Sequence, residues 1–110
     1  MGKSIIQSRT EPWERECFLC REEAEAEGFH GCLPNYGLDK HHFIHGFSRR
    51  KAEHYGLWAY VCRERHHIYG PEAPHSNHEV DLHLQQVAQT RFEEIYGHEL
   101  WMKEFGKNYL

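Results

Sequence analysis

Apolar and polar residues along this 110-residue chain fall into short blocks that predict two strands and a small number of helices. Residues 40–44 and 57–61 are brief runs rich in apolar, aromatic and β-branched side chains, so we predict two strands, the second of them buried. Between these runs, Ser48 is suited to a helix N-cap and Gly56 to a helix end. A short helix is therefore expected between the strands.

From about Asn77 the apolar residues recur at helical spacing, which predicts one long amphipathic helix that covers the strands. Its apolar stripe consists of Val80, Leu84, Val87, Ala88, Phe92 and Ile95, and the polar positions off the stripe are Asp81, Gln85, Gln89 and Glu93. Gly97 ends this helix, and residues 99–105 predict a shorter one. Four aromatic residues either complete the core or form a surface for a protein partner or a second copy: Trp58, Trp101, Phe105 and Tyr109.

Residues 1–16 show no sustained period, so we expect a loose N-terminal arm, with residues 17–110 forming a single domain. The acidic, alanine-rich residues 21–27 predict one or two helical turns that end at Gly28. Residues 29–38 contain two glycines, a proline and an asparagine, which predict a loop before the first strand.

Composition limits the classes of protein that this chain can belong to. Hydrophobic residues make up 39% of it, so the core is modest and a bound metal would help to stabilise the fold. The sequence contains neither an apolar run long enough to cross a bilayer nor a secretory signal pattern, so we expect a soluble, cytoplasmic protein. The net charge of −4 argues against a broadly basic nucleic-acid binder, although bound divalent cations would alter the local field.

The chain contains four cysteines and eleven histidines, a set typical of metal binding. Cys17 and Cys20 have the spacing of a zinc knuckle, and Cys62 and His66 are our prediction for the second pair of a tetrahedral structural zinc site. A redox role for the first pair is disfavoured because no βαβ pattern surrounds it. Cys32 and His30 are alternative zinc ligands, but we expect Cys32 to be an ordinary loop cysteine.

The adjacent histidines His41 and His42 begin an apolar, β-prone run. Neighbouring side chains in a strand point to opposite faces, so one imidazole can hold a metal while the other acts as a base. His67 and His75 also have no assignment after the zinc ligands are chosen. We assign no role to His30, His54, His78, His83 and His98.

These motifs together resemble the HNH endonucleases, also called ββα-metal or His-Me finger proteins, and in particular small phage-type members with a zinc-binding treble clef. The resemblance lies in Cys17-x-x-Cys20, Leu38-Asp39-Lys40-His41-His42-Phe43-Ile44, Cys62-x-x-x-His66-His67 and His75. It implies an α+β fold of the ββα-metal class from about Cys17 onwards, with a long C-terminal helix. It also implies metal-dependent nicking or cleavage of DNA phosphodiester bonds.

The resemblance further implies roles for individual histidines. His42 corresponds to the general base that activates water, His41 to a metal ligand, and His67 and His75 to further ligands of a catalytic Mg²⁺, Mn²⁺, Ni²⁺ or Zn²⁺. A shift of one position would make His67 the zinc ligand and His66 the catalytic residue. The chain departs from the family in two places: Gly56-Leu57 stands where an asparagine normally precedes the second strand, and the fourth zinc ligand, usually a cysteine, would be His66.

The run Arg49-Arg50-Lys51 is the main cationic cluster near the paired histidines. It can bind phosphates on either side of the cleaved bond, or it can be the solvated face of the short helix. An alternative from a different class also fits the same residues. It is a zinc-stabilised module on this scaffold that binds DNA or protein without catalysing a reaction.

Overall fold

The computed structural model describes residues 3–63 and 77–110. Within them the chain forms four α-helices and a two-stranded antiparallel sheet, which confirms the α+β class: α1 Phe18–Ala26, β1 Leu38–His42, α2 Arg49–Tyr55, β2 Trp58–Cys62, α3 His78–Tyr96 and α4 His98–Phe105. In these ranges no helix combines the length and the apolar character needed to cross a bilayer. His66, His67 and His75 lie outside the described residues.

The two strands pair with His42 opposite Trp58 and Leu38 opposite Cys62. β1 begins and ends two residues before the predicted strand. Phe43 and Ile44 leave the ladder and are buried in the core, although the amide of Phe43 still donates to the carbonyl of Leu57 at 3.0 Å. The apolar pattern indicated burial at these positions, but burial does not require a place in the sheet.

The predicted apolar stripe of α3 packs into the core through three fully buried residues, Leu84, Ala88 and Phe92. The prediction that Ile95 belongs to the buried stripe is wrong, because this residue is 53% exposed. The helix ends before Gly97, as predicted. Trp101 in α4 is also fully buried and contacts the ring of Phe92 edge to face, so it belongs to the core rather than to a partner surface.

Gln89, which the sequence pattern placed on the polar face of α3, is fully buried. Its amide nitrogen donates to the Oε2 of Glu93 and the Oδ1 of Asn108, both at 2.7 Å, and its Oε1 accepts from the amide of Tyr109 at 2.7 Å. These bonds satisfy the buried polar group and attach the C-terminal residues to α3.

The N-terminal arm is not loose over residues 4–7, contrary to expectation, because it lies against β2. The hydroxyl of Ser4 donates to the carbonyl of Trp58 at 2.5 Å, and the Oε1 of Gln7 accepts from the amide of Tyr60 at 2.9 Å. The N-terminal arm passes close to Gly56, which has a φ of 75° and ends α2 as predicted. A Cβ there would stand 1.9 Å from the carbonyl oxygen of Lys3.

Candidate metal sites and the histidine groove

A cluster of three cysteines joins α1 to the end of β2. The sulfur atoms of Cys17, Cys20 and Cys62 all lie within 4.8 Å of one another. Cys17 is the N-cap of α1, and its sulfur accepts a hydrogen bond from the amide of Cys20 at 3.3 Å. The helix start and the strand end thus bring residues from distant parts of the sequence to one place, and this cluster can hold a metal.

The spacing of the sulfur atoms suits zinc. Two thiolates bound 2.3 Å from a tetrahedral zinc are about 3.8 Å apart, and the sulfurs of Cys20 and Cys62 are separated by 3.8 Å. A hydrogen bond with Cys17, burial, and the charges of Cys17 and Cys62 all raise the pKa of Cys20. Three thiolates this close need a cation to ionise together. Cys32 is exposed and does not belong to the cluster.

His41 belongs to a second cluster, at the other end of β1. The ligating atoms of His41, His45 and Asp81 lie within 4.8 Å of one another. His41 is buried in the strand, and its ring centroid is 5.3 Å from that of His45 in the following turn. Asp81 comes from the first turn of α3, and its Oδ1 lies 2.9 Å from the Nε2 of His45.

Two members of this second cluster, His45 and Asp81, were not predicted as metal ligands from the sequence. His45 received no role, and Asp81 was placed on the polar face of α3. A His-x-x-x-His spacing at positions 41 and 45 was visible as a signal. Nothing in the sequence pattern pairs Asp81 with β1, because that contact depends on how α3 packs. Two imidazoles and one carboxylate form a donor set that suits borderline divalent metals such as Zn²⁺, Mn²⁺ or Ni²⁺.

His42 faces the other side of β1 and contacts α2 instead. Its Nε2 lies 2.8 Å from the Oε1 of Glu53, and the ammonium of Lys40 lies 2.9 Å from the Oε2 of the same carboxylate. Burial raises the pKa of Glu53, but the hydrogen bonds and charges of Lys40 and His42 outweigh it and hold that pKa below its usual value. Glu53 is therefore a carboxylate that fixes the orientation of the His42 ring.

His42 and Glu53 line an open depression of about 570 Å³, called here the histidine groove, together with Gly46, Phe47, Arg49 and Arg50. Arg49 and Arg50 are exposed, and neither forms an ion pair with any residue that the structure describes. Lys51 points elsewhere, because its ammonium donates to the carbonyl oxygen of Glu104 at 2.8 Å. The groove thus combines an imidazole with two of the three residues that we predicted to contact phosphate.

The predicted site residues fall into three places. Cys17, Cys20 and Cys62 meet in the sulfur cluster, His41 lies in the second cluster, and His42 lies in the histidine groove. The other ligand assignments stay predictions, since they fall on residues 64–76. Comparison with known proteins finds no match: no family model, no curated protein and no solved structure matches this chain.

Proposed function

We propose that this protein is a metal-dependent endonuclease of the HNH type that nicks or cleaves DNA. The observation that carries the proposal is the histidine groove, where His42 is held by Glu53 beside the exposed Arg49 and Arg50. The order of the paired cysteines, the paired histidines and the Cys62 segment along the chain supports the same class. The ββα-metal fold, the structural zinc and the DNA substrate belong to this proposal.

In this proposal His42 is the general base. When Nε2–H donates a hydrogen bond to Glu53, Nδ1 carries no proton and can accept one from water. As that proton passes to His42, the water oxygen bonds to phosphorus and the bond from phosphorus to the leaving sugar oxygen breaks. Arg49 and Arg50 bind the phosphates without selecting a sequence.

His41, His45 and Asp81 would hold the catalytic divalent cation, to which the resemblance adds His67 and His75. Such a cation, when bound, supplies positive charge that stabilises the leaving oxygen. His42 is the last residue of β1, and His45 follows it in the turn. The second cluster and the histidine groove therefore lie near the same end of the strand. In this proposal one phosphate at the strand end contacts both the cation and His42.

Cys17, Cys20 and Cys62 would hold the structural zinc, with His66 or His67 as the fourth ligand. The rival function, a zinc-stabilised binding module without catalysis, predicts the same sulfur site. It differs only in what His42 and the second cluster do. Metal content alone therefore does not separate the two functions, whereas DNA cleavage does.

A plasmid-nicking assay with Mg²⁺, Mn²⁺, Ni²⁺ or Zn²⁺ tests the proposal. We expect wild-type protein to relax supercoiled plasmid, and His42→Ala to do so at least about a hundred times more slowly, because a general base typically contributes that much. His54→Ala is the matched control, since His54 is an exposed histidine in α2 to which we assign no role. Equal nicking by the wild type and His42→Ala would favour the rival function.

A further inference from the structure

Phe47 is a fully exposed aromatic residue at the edge of the histidine groove. It lies in the 3-10 turn Gly46–Ser48, which connects β1 to α2. Leaving a phenyl ring entirely in water forgoes the free energy of its burial, and placing it beside polar catalytic groups adds nothing to the core. The ring is therefore available to contact a ligand that enters the groove.

The chemistry around Phe47 indicates what that ligand is. Arg49 and Arg50 follow it by two and three residues, line the same groove and form no ion pair with the described part of the chain. Exposed cations next to an exposed aromatic ring are the combination by which proteins bind single-stranded nucleic acid, with phosphates on the cations and a base stacked on the ring. An acidic peptide would use the arginines but would gain little from the phenyl ring.

We propose that Phe47 stacks on an unpaired base next to the phosphate bound in the histidine groove, so that the protein prefers single-stranded or locally unpaired DNA to intact duplex. This inference deepens the proposed function by naming the class of DNA on which it acts. A base paired within a duplex presents only its edges, so the face of a phenyl ring can stack on a base only where the stack is open. The arginines act on both kinds of DNA, whereas Phe47 discriminates between them.

Fluorescence anisotropy with a short labelled oligonucleotide, single-stranded or annealed to its complement, tests the proposal. All proteins carry His42→Ala so that the DNA stays intact, and each is checked for zinc content and thermal unfolding. We expect single-stranded DNA to bind more tightly than duplex, and Phe47→Ala to weaken single-strand binding roughly tenfold while changing duplex binding little. Phe47→Trp is expected to restore the preference, because the larger indole ring also stacks.

Trp13→Ala is the matched control, since Trp13 is an exposed aromatic residue that lines a different depression. It is expected to bind both forms of DNA as the parent protein does. The inference is overturned if Phe47→Ala weakens single-strand and duplex binding equally, or changes neither. Tighter binding of an RNA strand of the same sequence would overturn the choice of DNA.

The experiment separates failure of the inference from failure of the proposed function. If Phe47→Ala loses the single-strand preference but wild-type protein nicks no DNA, the inference stands and the nuclease activity does not. If wild-type protein nicks DNA but Phe47→Ala keeps the preference of its parent, only the inference fails.

Discussion

At the residue scale, the carboxylate of Glu53 on α2 restrains two side chains of β1. It accepts from both Lys40 and His42, and Lys40 also lies over the ring of Trp58, 4.1 Å from its centroid. Each contact restrains one side chain of β1 against α2 or β2. The carboxylate thus helps to hold together the elements that form the histidine groove.

Glu53 gives a prediction for the pH dependence of stability. Its folded-state pKa is below the ordinary value of 4.5, so its contribution is complete above about pH 4.5 and is lost as the pH falls through the lower, folded-state pKa. We expect Glu53→Gln to unfold at a lower temperature than wild type near pH 7, and the difference to shrink in acid. Thermal melts of the two proteins from pH 7 to pH 3 measure it.

Glu99→Gln is the control for this series, because Glu99 is an exposed carboxylate at the start of α4. Its charge is attracted only weakly by the helix N-terminus, so Glu99→Gln is expected to lower the melting temperature less than Glu53→Gln does near pH 7. A Glu53→Gln difference that stays constant in acid, or grows, would contradict the assigned role.

The role of a single residue was easiest to predict where residues close in sequence carry the pattern. Cys17 and Cys20 share one turn, and their spacing together with the other cysteines and histidines indicated a metal site; the structure places Cys62 with them. Asp81 is 36 residues from His45, and their contact at 2.9 Å has no local signal. Gln89 was misplaced for a related reason, since its buried amide bonds to residues of the C-terminal segment.

At the scale of elements, the sulfur cluster connects the N-terminus of α1 to the end of β2. These elements come from distant parts of the chain, and the hydrophobic contacts of a small core hold them only modestly. Zinc bound at this junction would add its binding free energy to the stability of the fold. In the part of the chain that the structure describes, the sheet consists of one pair of strands, so this connection is expected to supply a large part of the stability of the fold.

We predict that Cys62→Ser loses zinc and lowers the free energy of unfolding by roughly 3 kcal/mol or more, because binding of structural zinc is coupled to folding. Zinc analysis of the purified protein and urea denaturation measure the two effects. Cys32→Ser is the matched control, since Cys32 is exposed and outside the cluster. Full zinc content in Cys62→Ser would contradict this assignment.

Element boundaries were predictable where a specific residue ends the element. Gly56 ends α2 with a positive φ, and Gly97 follows α3, as the sequence indicated. The predicted bounds of β1 were wrong by two residues, because Phe43 and Ile44 are buried in the core without being part of the strand. The place of residues 4–7 on β2 was missed because side-chain bonds to strand backbone, such as that of Ser4, have no periodic pattern.

At the scale of the whole molecule, the apolar pattern predicted two short strands and a long C-terminal helix, and the structure contains all three elements. The apolar pattern does not predict which polar side chains meet, because that depends on how the elements pack. β1 separates its two histidines, with His41 facing His45 and Asp81, and His42 facing Glu53. In the function that we propose, the cluster of His41, His45 and Asp81 holds the cation that supports DNA cleavage, at a site distinct from the sulfur cluster.

The most direct test is the plasmid-nicking rate of Asp81→Asn, measured with Mn²⁺ on protein of verified zinc content. Asparagine keeps the size of the side chain but removes its charge, so we expect nicking to slow at least about tenfold while the sulfur cluster keeps its zinc. Glu79→Gln is the matched control, because Glu79 is an exposed carboxylate in the same first turn of α3. Nicking by Asp81→Asn at the rate of Glu79→Gln would contradict the claim.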